Sequence, residues 1–248
     1  TAAYGSATNQ IADTGFGYHV LQNTTGGENT AVGSQSMGGG TGAATQNTAV
    51  GGQTLYSLTS GISNSIQGFD AFSFITTGSG NTSNGYRTGY RHTGAASNNS
   101  FFGYRSGYGV TSSTTGNNNT AIGYETLFWI TSAANNLATG YQTFDNLTTG
   151  SNNIGIGYDI EAQSATGSSQ LSIGNLIFGA GGFGTGTTAG TGFISLRNNT
   201  PLAPFHVDGT RTLSATGQTG FLLNGTITPS ANSQIVYGAL IGSSLPTG

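Results

Sequence analysis

Small polar and apolar residues alternate in short bursts along this chain, and each burst ends on a glycine. Thr30-Ala31-Val32 precedes Gly33, and Thr120-Ala121-Ile122 precedes Gly123. Period-two alternation over three residues, closed by a residue free to bend, predicts a short β-strand with one buried face. Helical periodicity is essentially missing; residues 124–134 form the one stretch that tempts a helix assignment.

The bursts belong to a repeat. Eight copies open on Asn29, Asn47, Asn64, Asn81, Asn99, Asn119, Asn136 and Asn153 and close on Gly33, Gly51, Gly68, Gly85, Gly103, Gly123, Gly140 and Gly157, and weaker copies start at Asp13 and Gln170. From Gly17 to Gly174 the anchoring glycines are 16, 18, 17, 17, 18, 20, 17, 17 and 17 residues apart. The glycine suits a bend with positive φ or a close approach of another chain. Many units then place an aromatic and, three positions on, a large apolar residue: Phe69 and Phe72, Tyr124 and Leu127, Tyr141 and Phe144. The opening Asn tolerates the left-handed region and caps turns, and stacked copies would form an Asn ladder.

One unit has too few strongly apolar positions to bury a core alone, so neighbours must stack, as in repeat proteins generally. Ten coils spaced ~4.8 Å apart make a rod roughly 45–50 Å long. The expected fold is all-β: a repeat solenoid, β-roll or β-helix-like fibre. Its aromatics exceed what a narrow coil can hide, which points to a homotrimer with aromatics from several chains meeting on an axis. The expected organisation is a partial unit or junction over 1–11, the repeat shaft over 12–178, a Gly-rich connector over 179–192 and a small β module over 193–248.

Composition narrows the function. Of 248 residues, 132 are Gly, Thr, Ser or Asn, only 13 are charged, and Lys and Cys are absent. A net charge of −3 with five scattered Arg does not supply the phosphate-neutralising surface that nucleic acids require. No apolar run approaches a membrane span, and without Cys there are neither disulfides nor thiolate metal sites. Low net charge and aromatics spread along the chain separate it from disordered segments of similar polarity.

The units GGENTAVGSQSM, GNNNTAIGYETL, ANNLATGYQTF and GSNNIGIGYDI resemble the repeats of phage tail-fibre and related receptor-binding proteins, and more distantly the head repeats of trimeric autotransporter adhesins. The resemblance covers about 12–178. The stretch from Phe193 to Thr210 is similar to the segment that follows such repeats in many fibres, and the final piece from Phe221 is similar to a further β module of those proteins. The resemblance implies a trimeric β fibre, extracellular or part of a virion, that carries a surface-binding tip and contacts other fibre proteins. The self-cleaving chaperone domain that often ends such fibres has no counterpart, and the chain starts mid-pattern and stops at Pro246-Thr247-Gly248, which reads as a segment of a longer fibre or a matured product.

Catalysis finds little support. His19, His92 and His206 lie far apart, and no nucleophile elbow or zinc-binding His pair is present. Asp159 and Glu161 are the closest carboxylates; they would serve a polysaccharide depolymerase or stand as solvated rim residues. No metal-ligand spacing occurs, and neither an enzyme nor a cofactor is expected. An ice-binding face ranks low because the Thr positions form no regular ladder.

Units five and six differ from the rest. Tyr86, Arg87, Tyr90, Arg91, Tyr104, Arg105 and Tyr108 fall within 23 residues. The period stacks Tyr86 on Tyr104, Arg87 on Arg105 and Tyr90 on Tyr108. Aromatic and Arg side chains suit stacking on sugars and pairing with glycan carboxylates, so the cluster is a candidate glycan-binding face. In the opposing reading the rings pack against one another and Arg pairs with Asp70 or a neighbouring chain.

Overall fold

The computed structural model describes residues 12–110, 114–182, 192–196 and 205–207. Ten short strands, each one coil further along, form a parallel stack: β1 (Thr14–Phe16), β2 (Thr30–Val32), β3 (Thr48–Val50), β4 (Ser65–Gln67), β5 (Thr82–Asn84), β6 (Ser100–Phe102), β7 (Thr120–Ile122), β8 (Leu137–Tyr141), β9 (Ile154–Tyr158) and β10 (Leu171–Ile173). Equivalent positions pair directly, Thr30 with Thr48 and Thr48 with Ser65. The chain is therefore a β-solenoid with about 17 residues per coil, and coils are numbered here from one, anchored by Gly17, to ten, anchored by Gly174.

Residues 124–134 are turns and irregular backbone, not helix. Leu127 reaches the core from a left-handed conformation (φ 51°), so coil stacking overrides local helical preference. Each regular coil turns mainly at three such corners. One precedes the ladder Asn, as at Asn98, Asn118, Asn135 and Asn152; another lies two residues after the anchor glycine, as at Arg87, Arg105 and Glu125; the third lies four residues after it, as at Leu55, Phe72 and Phe144. The left-handed corner expected at the opening Asn thus falls one residue earlier. The ladder Asn keeps ordinary backbone because its own N–H must point along the stack.

The anchor glycines from Gly17 to Gly157 have φ between 122° and 145°. A Cβ on Gly123 would fall on the Gly140 carbonyl, and one on Gly140 on that of Gly157. Both expected reasons for glycine, special φ and close approach, hold together at one residue.

The core runs along the coil interiors. It takes the middle residue of each strand, such as Ala31, Ala49, Ile66 and Ala121, and the residues four and seven places after the glycine, such as Leu55, Leu58, Phe72, Ile75, Leu127 and Ile130. The strands' buried face is thus one residue wide, and Val32 and Ile122 point outward. Volumes trade between positions: Phe101 fills the strand centre of coil six, and a Cβ on Gly107 would strike its ring, just as one on Gly89 would strike Phe72 and one on Gly155 would strike Phe144. The Gly residues that replace the large apolar side chain in units five and six therefore make room for a neighbouring Phe, as close packing requires.

Parallel stacking ends at β10. Gly174 and Asn175 are both left-handed (φ 58° and 51°), and the Leu176 N–H donates to the Ile173 carbonyl at 3.0 Å. Two positive-φ residues inside an i to i+3 bond define a hairpin turn whose twist suits antiparallel strands. β11 (Ile177–Ala180) accordingly runs back along β10, β12 (Phe193–Leu196) is antiparallel to β11, and β13 (Phe205–Val207) is parallel to β12. Gly179 and Ala180, assigned by sequence to the connector, complete β11. The junction over 1–11 and the C-terminal module beyond 207 lie outside the described residues.

Candidate functional site

The Asn residues form the expected ladder, and it is continuous. Each rung's Oδ1 accepts both the backbone N–H and the Nδ2 of the next: Asn64 to Asn47 at 3.0 and 2.9 Å, Asn81 to Asn64 at 3.0 and 2.9 Å. The Nδ2 also donates to the carbonyl three residues ahead of the following Asn, as from Asn64 to Gly78 and from Asn119 to Ala133. Every amide is buried, and both its acceptor and its donors are used, which is the condition for a polar group inside a core to stabilise rather than cost. Among the described residues, Asp13 begins the ladder by accepting from Asn29, and Gln170 ends it by donating to Asn153. Beside it, the hydroxyls of Ser36, Ser106 and Thr143 donate to the carbonyls of Ala49, Ala121 and Gly157 in the following coils.

On the outer surface the residue after the anchor glycine forms a row of stacked rings. Phe69, Tyr86, Tyr104, Tyr124, Tyr141 and Tyr158 follow one another with centroids 4.9–6.0 Å apart and planes within 14° of parallel. Tyr86 does stack on Tyr104, and Tyr90 on Tyr108, as the period requires. The row extends three tyrosines beyond the expected cluster. Aligning coils seven to nine on their glycines puts Tyr124, Tyr141 and Tyr158 in the same column, so the signal was present in the sequence. Stacking has a chemical consequence: ring faces inside the row are taken by neighbours, and ring edges and phenol oxygens face solvent. A sugar ring cannot lie flat on Tyr86 or Tyr104 while the row stays closed.

Arg87 and Arg105 stand side by side in the next row, each held from the far side by a carboxylate. Arg87 Nε donates to Asp70 Oδ2 at 3.0 Å, and Arg105 Nη1 to Glu125 Oε1 at 3.3 Å. The order along the axis is thus acid, base, base, acid. Asp70 fills the role one sequence reading gave it; Glu125 was not foreseen, because a twenty-residue coil separates it from Arg105. The coil is back in register at Thr114, which bridges to His92 and whose carbonyl accepts from Thr93 N–H. The guanidiniums also lie over tyrosines, Arg87 5.1 and 5.0 Å from Tyr86 and Tyr90, and Arg105 5.2 and 5.5 Å from Tyr104 and Tyr108. Arg91 makes no ion pair among the described residues and packs 5.8 Å from Phe74 and 5.6 Å from Tyr90.

His92 is fully buried between Phe72 and Phe101, with centroids 5.5 and 5.2 Å away, and neither ring nitrogen has a hydrogen-bond partner. Burial lowers its pKa to about 4, partly offset by the nearby Gly107 backbone. It occupies the core place held by Ile75 and Ile130 in other coils. Asp159 and Glu161 line a groove of about 440 Å³ with Gln163, Asn175 and Phe178, and no group of three or more metal-ligating side chains occurs among the described residues.

These features define a β-solenoid repeat protein held by an internal amide ladder and faced by stacked aromatics. No family model, curated protein or solved structure matches the chain.

Proposed function

We propose that this chain is a structural segment of a phage tail fibre or cell-surface appendage, assembled as a homotrimer and supporting adhesion to a host or surface. The amide ladder carries the reading. One buried side chain ties every coil to the next, so the shaft extends by repetition and each coil needs only its neighbours. The outward-facing Phe102, Ile122, Leu137 and Ile156, each more than a third exposed, lie on one strand face and supply the apolar area that trimer formation would bury. Light scattering tests the assembly: a mass of three chains is expected, and a stable monomer at micromolar concentration would sink the trimer. Adhesion is tested by deleting coils from the intact fibre, and unchanged host attachment would overturn that role.

Glycan recognition on the repeat face is the second reading, favoured by the phenol edges of the Tyr row and by Trp129, 49% exposed. A glycan array with the isolated chain separates it from a purely structural role. Unchanged binding in Arg87→Ala with Arg105→Ala would remove those two side chains from the reading.

A further inference from the structure

A second surface lies on coils four to eight, where Phe74, Tyr90, Arg91, Tyr108, Phe128, Trp129 and Asp145, five or six places after their anchor glycines, reach the outside. Tyr90, Tyr108 and Phe128 stack along it at 5.4 and 4.9 Å, and Phe74 and Trp129 stand 41% and 49% exposed beside them. Continuous aromatic surface of this kind marks an interaction site. Its charges are placed unevenly. Arg91 lies in coil five and Asp145 in coil eight, on adjacent rows, and neither forms an ion pair among the described residues. Burial first and the neighbouring Glu161 second push the Asp145 carboxyl above its ordinary range, with the Asn146 backbone holding it back in part, and no Arg pairs with it among the described residues.

We propose that a second copy of this chain packs antiparallel on this strip, about a two-fold axis between coils six and seven, so that Arg91 of each copy meets Asp145 of the other. An operation that reverses coil direction carries coil five onto coil eight and coil six onto coil seven. Tyr108 then faces Phe128 in both halves, and both ion pairs arise from the same symmetry. A parallel arrangement sets Arg91 against Arg91 and Asp145 against Asp145, which like-charge repulsion opposes. Six coils of one side span about 29 Å, and a strip two residues wide covers on the order of 300 Å² per copy, well below the ~800 Å² of a standard interface. Pairing between single chains is therefore weak and becomes strong by repetition where shafts lie side by side. Only that bundling consequence rests on the fibre reading; the pairing rests on the strip.

The chain contains no Cys, so introduced thiols report the contact directly. Tyr90→Cys in one preparation and Asn146→Cys in another mark coils five and eight and keep the Arg91 and Asp145 side chains, the second at the cost of the two hydrogen bonds of Asn146 to the Ala162 backbone. When the two are mixed at high concentration and oxidised with oxidised glutathione, dimers linked 90 to 146 should exceed 90-to-90 and 146-to-146 dimers several-fold. Adding Arg91→Asp should abolish the excess, and adding Asp145→Arg to that variant should restore it. A majority of like-with-like dimers, or an excess indifferent to both reversals, overturns the proposal. Cross-linking that appears only with an added acidic polysaccharide overturns it too and makes the strip a glycan site. Failure of the trimer reading is seen separately, as a mass that Ile122→Ser on the strand face leaves unchanged.

Discussion

Asn99 Oδ1 accepts two hydrogen bonds from Asn119, from its backbone N–H at 3.0 Å and from its Nδ2 at 3.2 Å, while Asn99 Nδ2 donates to the Gly116 carbonyl at 3.0 Å. Asn99→Ala removes an acceptor that serves two donors and an Nδ2 that donates both to the Gly116 carbonyl and to Asn81 Oδ1, all buried; two donors and the Gly116 carbonyl are then orphaned, while Asn81 Oδ1 keeps the backbone N–H. At about 1–3 kcal/mol for each orphaned group, the loss should reach at least about 3 kcal/mol. Chemical denaturation should record it, and a change under about 1 kcal/mol would refute a structural role for the ladder.

The first rung is defective in a way that can be repaired. Asp13 Oδ2 is buried without a hydrogen-bond partner, at the place where each Asn presents its Nδ2. Gly26 stands three residues ahead of Asn29 and offers the carbonyl this donor would meet. Asp13→Asn should therefore raise stability by about 1 kcal/mol, seen as a higher Tm. An unchanged or lower Tm would contradict the assignment of Asp13 as a true rung.

Gly123 and Gly94 separate close approach from backbone conformation. A Cβ at Gly123 would meet the Gly140 backbone, whereas one at Gly94 (φ 58°) has nothing within 4 Å. Gly94→Ala should cost only the left-handed penalty, about 1–2 kcal/mol. Gly123→Ala must also push two coils apart and should cost distinctly more. Equal melting temperatures for the two variants would show that coil contact at Gly123 is not limiting.

Burial holds His92 neutral in the folded chain down to pH about 4, below the ordinary histidine value of 6.5. The unfolded chain takes up its proton first as pH falls, so the folded state loses stability between pH about 6.5 and 4 and regains it as pH rises. The full penalty is about 3 kcal/mol. His92→Leu should flatten this part of the stability–pH curve while keeping the core filled. A curve of unchanged slope in the variant would place the titration elsewhere.

The solenoid was legible because stacking forces every coil to repeat the same demands. Gly140 recurs for the same reason as Gly123, and Asn136 for the same reason as Asn119, so a period in the letters reports a period in space. Departures were less legible. Asn98, not Asn99, takes the left-handed corner, because the ladder residue must aim its N–H along the axis. Phe101 and Gly107 exchange volume across the coil interior, and the strand pattern alone does not reveal that Gly107 leaves space for a ring six residues earlier.

The seven residues singled out as a cluster divide in the same manner. Their stacking followed from the period, but their availability did not. Pairing of Arg105 with Glu125 depends on where the long coil returns to register, and the covering of Tyr86 and Tyr104 depends on the ring planes. Neither is a property of composition or spacing.

By itself the sequence determined the coil length, the strand positions, the Asn and Gly columns and the stacking order, because each follows from a period that a parallel stack repeats. Tertiary structure alone decided which side chains are spent inside the stack and which remain free. That choice turns on corner geometry and on neighbours one coil away: Arg87 and Arg105 are paired with Asp70 and Glu125, whereas Arg91 and Asp145, three coils apart on the same side, form no ion pair among the described residues.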